Sequence, residues 1–461
     1  MCCRVLLFAD LSNGDQGKGA TIDACARHFG AHTVVRFNGS GQAGHRNVDP
    51  DGRAHVHSQF GSGTFAGAST HLSKFMLVQP WSMLVENEHL EQLGIFDAFE
   101  RTTIDERALV VTPFHRASNR LREMARGDGR HGSCGIGVGE TASDALELPE
   151  ELIVRMRDLR DLDGLRAKFE RVRLHKCEQM RALIEQFRSV EEIENEIWDL
   201  ESTESVSIWM KLLEPFILRA RIVDHDYLAR ILAKPGVVLF EPAQGVLLDE
   251  WRGFHPYTTW STCTLDNAHA LLEEVQFKGE VTRLGIVRAY ATRHGPGPFP
   301  SFDAKLTQDI PDADQRDERW NGKFLVGHFD AVLTRYAIEC VGKLDGIVIT
   351  CLDRLRDVDD WQMVTSYKAQ WWDPDLDQLD DDQFICQYKR LIPGPFKDLV
   401  YQERITNLLG RIKPLLDTTT RAPDFETRVR EHVARIESEL GLPAYMLSFG
   451  PTANDKQFLR E

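Results

Sequence analysis

Between Asn13 and Gly19 the chain reads Asn-Gly-Asp-Gln-Gly-Lys-Gly, which sets a carboxylate and an amine three residues apart among three glycines. Glycines let a backbone turn until several N–H groups point into one cavity, where a phosphate can sit. Lys18 adds a positive point charge suited to a polyphosphate. Asp15 is the unusual member. A carboxylate in such a cradle repels the anion unless it binds a cation or does proton chemistry. The spacing is not the Walker form, because no Ser or Thr follows Lys18 and only two residues separate Gly14 from Gly17. By spacing alone, an ordinary glycine-rich turn accounts for the loop as well as a phosphate cradle does.

The flanks give the loop a setting. Val5 to Ala9 is an unbroken apolar run ending at the turn, the pattern of a strand buried on both faces. Thr21 to Phe29 carries helical spacing through Ile22, Ala26 and Phe29, so strand, loop and helix follow in order. Further buried-type strands are expected at Arg107–Thr112, Gly236–Glu241, Leu284–Tyr290, Gly346–Leu352 and Ala444–Leu447. Helices are expected at Ser82–Leu93, His115–Arg126 and Thr427–Leu440, with amphipathic, solvated helices through Pro149–Leu232. Trp371–Asp382 reads as an acidic surface turn, without the spacing of a calcium loop. The alternation predicts an α/β fold.

Composition excludes some classes. With 461 residues and a formal charge of −16, a duplex nucleic-acid surface is not an expected partner, because phosphate backbones require clustered Lys and Arg. No apolar run approaches the ~18 residues of a membrane span, and the first ten residues lack the apolar core of a signal peptide. Nine scattered cysteines without metal-type spacing predict a reduced, cytoplasmic protein.

The glycine loop, followed by Gln42-Ala43-Gly44-His45, resembles the GDEGKG and NAGH blocks of the adenylosuccinate synthetase family. Similar blocks continue in the family's order: Gly132–Gly135, Phe240–Gly245, Thr292–Pro300, Thr350–Asp353 and Ser448–Pro451. The resemblance implies a large, mostly parallel central sheet with flanking helices and a P-loop-like nucleotide site. It implies one α/β unit over 1–461, with a helical subregion 149–232, an amino-acid-binding loop region 310–330 and a C-terminal α+β subregion 354–443. It further implies a homodimer that uses GTP and Mg²⁺ to act on a purine nucleotide and an amino acid.

Roles carry over by position. Asp15 matches the base that removes the purine N1 proton and meets Mg²⁺, His45 the donor to the transferring phosphoryl group, and Gln244 the partner of purine O6. The Gly44 carbonyl matches the second Mg²⁺ ligand. Gly14, Gln16, Gly17, Lys18, Gly19 and Arg46 fall in the nucleotide-phosphate blocks, and Asp353, Ser448 and Gly450 in those that read guanine. Asn38, Gln42, Ser133, Cys134, Thr259, Arg293 and Lys323 fall at substrate-binding positions.

The chain also departs from the pattern. Ser133 and Cys134 replace two threonines of the phosphate loop, Ile136 replaces an arginine, and Ala142–Glu147 lacks the family's basic stretch. Compensation by Arg130 or His131 is the alternative. The arginines that receive the aspartate carboxylates are reduced to Gly322, Lys323, Phe324 and Leu325, so altered amine specificity is expected. Cys351 replaces the lysine that packs on guanine, which relaxes selectivity toward ATP. The expectation is therefore a GTP-dependent carbon–nitrogen ligase acting on an IMP-like nucleotide with L-aspartate or a related amino acid. The alternatives are a variant acting on dGMP or GMP, as in viral relatives, and a nucleotide-binding sensor or partner subunit with reduced catalysis.

Overall fold

The first strand, Cys3–Asp10, runs through the middle of a ten-stranded sheet and is nearly all buried. The sheet order is Lys456–Phe458, Ala444–Ser448, Gly346–Thr350, Glu280–Arg288, Cys3–Asp10, Gly236–Glu241, Thr33–Arg36, Ser69–Leu72, Thr102–Asp105, Arg221–Val223. Every pairing is parallel except that of the last strand, Lys456–Phe458, with Ala444–Ser448. Val5, Leu7, Val238 and Ile347 point to one face and Leu6, Phe8, Leu239 and Val348 to the other, and each set is wholly buried. Burial on both faces is why these strands read as continuous apolar runs rather than alternations. The computed structural model describes residues 3–127, 133–310, 323–369, 376–382 and 385–460.

A second sheet of five strands carries Phe329–Asp330, Gln362–Ala369, Leu376–Asp382, Ile385–Leu391 and Lys413–Thr418. Helices cover the sheets, and no described helix is long and apolar enough to cross a membrane. The anticipated helices form at Pro80–Gln92, Pro113–Arg126 and Phe425–Leu440.

Three readings change. Arg107–Thr112 contributes only the two-residue strand Leu109–Val110, and the strand in the main sheet is Thr102–Asp105 just before it. The helical region 149–232 also supplies Arg221–Val223, an edge strand of the main sheet. Of the acidic run Trp371–Asp382, residues 371–375 lie outside the described residues, and Leu376–Asp382 is a strand antiparallel to Ile385–Leu391 and not a turn. Backbone pairing needs no apolar side chains at a sheet edge, where charge even guards against pairing with other chains.

Candidate active site

Ligands of open α/β sheets bind beyond the carboxyl ends of the strands. Here those ends carry Asp10, Glu241, Arg288, Thr350 and Ser448, and the loops that follow them surround one cavity of about 1020 Å³. Gly14, Asp15, Gly17, Lys18 and Gly19 line it, as do Gln42, Gly44, His45, Arg46, Gln244, Asp353, Ser448 and Gly450. Ser133, Cys134, Thr259 and Arg293 border it too.

The loop conformation is the one that glycine and a short polar residue permit. Gly14 and Gly17 have positive φ, and so does Asp15 at 60°, a region open mainly to Gly, Asn and Asp. Gln244 also lies there, at 55°. The two loops meet backbone to backbone, since a Cβ on Gly245 would stand only 2.4 Å from the Gly14 nitrogen.

Lys18 is held in place by a buried carboxylate. Its Nζ lies 2.7 Å from Asp10 Oδ2, with both side chains buried. Burial raises the Asp10 pKa, and the charge of Lys18 opposes that rise. The lysine is thus aimed by a carboxylate at the end of the first strand.

His45 is aimed in the same way. Its Nδ1 is 2.6 Å from Glu241 Oε1, and its Nε2 is buried with no partner among the described residues. Burial takes the imidazole down to about 4, against the hydrogen bond to Glu241 that favours the charged form. Burial works against ionising Glu241, but the charge of Arg36 and hydrogen bonds from His45 and Ser62 outweigh it and hold the carboxyl at about 2. The pair is therefore a neutral imidazole donating through Nδ1 to a carboxylate. That tautomer leaves Nε2 as the acceptor, on a residue that lines the cavity.

Gln244 carries an amide whose oxygen and nitrogen are both buried without partners among the described residues, and the Gln42 amide oxygen is in the same condition. Buried amides are nearly always hydrogen-bonded, so these groups are set for a ligand. Arg293 is buried, donates from Nη1 to Asn13 Oδ1 at 2.8 Å, and is brought down to about 10 by desolvation. Burial raises the Asp353 carboxyl from its ordinary value.

Three of the expected site residues lie off the cavity. Asn38 is wholly buried and clamps Ala243, accepting from its N–H at 2.7 Å and donating to its carbonyl at 2.9 Å. It thus fixes the loop that presents Gln244. Gln16 is spent on the loop itself, donating to the Gly14 carbonyl at 2.8 Å and accepting from Arg288 N at 2.6 Å. Lys323 is exposed beside the strand Phe324–Gly327 and does not border the cavity. Arg130 and His131, and separately residues 311–322 of the amino-acid-binding loop region, lie outside the described residues.

Asp10 and Glu241 were missed by the sequence reading. The available signal was an acid closing an otherwise apolar buried strand, which needs a charged partner to be tolerated.

A family model described as adenylosuccinate synthetase matches residues 10–457. The chain belongs to the adenylosuccinate synthetase family. It is thereby a carbon–nitrogen ligase of purine biosynthesis. The adenylosuccinate synthetase of Myxococcus xanthus is 27% identical over 452 residues, covering 97% of this chain and 96% of that one. Among solved structures, a fully ligated adenylosuccinate synthetase from Plasmodium falciparum superposes with a TM-score of 0.75 at 18% identity, over 98% of this chain and 99% of the other. The succinoaminodeoxyadenylate synthetase of cyanophage S-2L, bound to dGMP and to dATP as an energy donor, gives 0.59 at 15% identity, over 99% and 96%. The family's fold thus accounts for the sheet and for the loops gathered at its carboxyl edge.

Proposed function

We propose that this chain joins an amino acid to C6 of a purine nucleotide after GTP has phosphorylated the 6-oxo group. The observation that carries the reading is the convergence of Asp15, the bare Nε2 of His45 and the unpartnered amide of Gln244 on one cavity. Turning a poor leaving oxygen into phosphate takes a base for the N1 proton and donors for the charge that develops on the phosphoryl group. Asp15 is the base and Gln244 holds O6. His45 takes up a proton as the polyphosphate arrives and donates it from Nε2, while Lys18 neutralises the γ-phosphoryl charge. Asp353, with Ser448 and Gly450, reads the guanine of GTP. Asp15 and the Gly44 carbonyl are hard oxygen donors bordering the same space, which fits Mg²⁺. That ion would draw charge from the phosphates. L-Aspartate or a related amino acid is the amine donor in this reading, and the working form is a cytoplasmic homodimer.

A second reading makes a guanine nucleotide the purine substrate. It is favoured by the redrawn phosphate loop, where Cys134 and Ile136 line the cavity in place of the family's threonine and arginine. Phosphate release from GTP, measured with IMP, dGMP or GMP and with or without aspartate, separates the two. Aspartate-dependent release with IMP alone supports the first, and with dGMP or GMP the second. Release with none of them defeats both.

A further inference from the structure

Two short pieces of chain away from the substrate cavity carry ligand-type side chains at ligand-type spacings. His55 and His57 alternate on the strand Ala54–His57, so both imidazoles leave the same face. Glu86 and His89 stand three apart on the helix Pro80–Gln92, which puts them on one helical face. The strand packs on that helix. One nitrogen each from His55 and His57 and an oxygen of Glu86 lie within 4.8 Å of one another, and all three residues are buried. None of them borders the large cavity.

The hydrogen bonding of the group is incomplete. His57 is wholly buried, and neither ring nitrogen has a partner among the described residues. His55 Nε2 has none either, and it lies 3.7 Å from Glu86 Oε1, too far for a hydrogen bond. On its other side His55 Nδ1 is 2.7 Å from His89 Nδ1, so one of the two must donate. If His55 donates, its Nε2 lone pair faces the Glu86 carboxylate, and two electron-rich atoms oppose each other in the protein interior. Glu86 is held in place by backbone N–H groups, from Ser58 at 2.9 Å and Gln59 at 2.9 Å. Those amides orient the carboxylate without supplying a cation.

We propose that His55, His57 and Glu86 bind one divalent transition ion of the zinc class, with His89 orienting His55 from behind. Two neutral imidazoles and one carboxylate are the donors that zinc takes in four-coordinate sites, whereas Mg²⁺ selects oxygen. The Glu86 amide contacts and the His55–His89 contact are the outer hydrogen bonds that fix ligands in such sites. His57 lies opposite His45 in the hairpin formed by His45–Val48 and Ala54–His57. The ion would thus tie that hairpin to the helix and steady the residue that faces the phosphates, without touching substrate itself. The proposal stands independently of which purine is used.

The test uses the full chain, stripped with chelator and titrated with Zn²⁺ or Co²⁺. One saturable equivalent per chain is expected, with the intense visible spectrum of four-coordinate Co²⁺, a rise in Tm and no displacement by excess Mg²⁺. His57→Leu and Glu86→Gln should each lose that spectrum, and His225→Ala, at an exposed histidine, should keep it. Absence of a saturable equivalent in the wild type overturns the site, and so does an unchanged spectrum in His57→Leu. If those variants do not fold, X-ray absorption of the loaded wild type decides. A shell containing imidazole nitrogen supports the site and an all-oxygen shell defeats it.

Discussion

His45 and Glu241 are 196 residues apart in sequence and meet at 2.6 Å. The contact fixes which ring nitrogen carries the proton, and so which one is left to accept. Because the unliganded imidazole is held near 4, an anion arriving at Nε2 should raise its pKa. Binding of GTP between pH 5 and 7 is therefore expected to take up a proton. Calorimetry in buffers of different ionisation enthalpy reads this directly, and the uptake should vanish in His45→Gln.

Glu241→Gln keeps the shape of that contact and removes its charge. The rate should fall by on the order of 10²- to 10⁴-fold, the range that a positioned proton donor supplies. Nucleotide affinity should change far less. The kcat and KM of the variant, compared with those of Asp15→Asn, test whether both act in the chemical step. Equal losses in rate and affinity would assign Glu241 to structure alone.

Lys18 and Asp10 form a buried ion pair. Removing one partner strands the other charge in the interior, so Lys18→Met should cost about 3–5 kcal/mol in urea unfolding. Adding Asp10→Asn should recover a good part of that loss, because the stranded charge is gone. Turnover should stay lost in the double variant if Lys18 serves the phosphates.

The pH dependence of stability has a definite sign. His45, His71 and His432 are each held near 4 by burial, so between pH 4 and 6.5 they stay neutral in the native state and charge on unfolding. The unfolded state then binds more protons, and stability rises with pH across that window. Asp330, raised to about 6 by burial, acts oppositely between its unfolded value and 6. Removing that opposing group isolates its share: the change in urea midpoint from pH 4.5 to 6 should be more strongly upward in Asp330→Asn than in the wild type.

Asp353 is the test of base recognition. Asp353→Asn should raise the KM for GTP by about tenfold or more and leave that for ATP nearly unchanged, since adenine lacks the donors that a carboxylate receives. Steady-state kinetics with both nucleotides read the ratio.

Much of this architecture was legible in the residues because parallel strands buried on both faces announce themselves. Val5–Ala9 and Gly346–Thr350 could hardly be anything else. Leu376–Asp382 was misread because an edge strand is held by its backbone, and its acidic side chains carry no record of the pairing. The same limit hid the partners of Lys18 and His45. Asp10 and Glu241 look like the ends of strands until the sheet brings each beneath its cation or imidazole. Asn38 matches a substrate-side block and Gln16 a nucleotide-phosphate block, yet tertiary packing turns the Asn38 amide onto the Ala243 backbone and the Gln16 amide onto Gly14 and Arg288.

The near-contact of Gly14 with Gly245 has a consequence for how specificity can drift in such a ligase. The turn bearing the proposed base and the turn bearing Gln244 cannot slide past each other, for even one methyl group would not fit between them. A change of purine must then come from the rim, through side chains such as Cys134, Ile136 and Trp260, while the reacting centre keeps a fixed gauge.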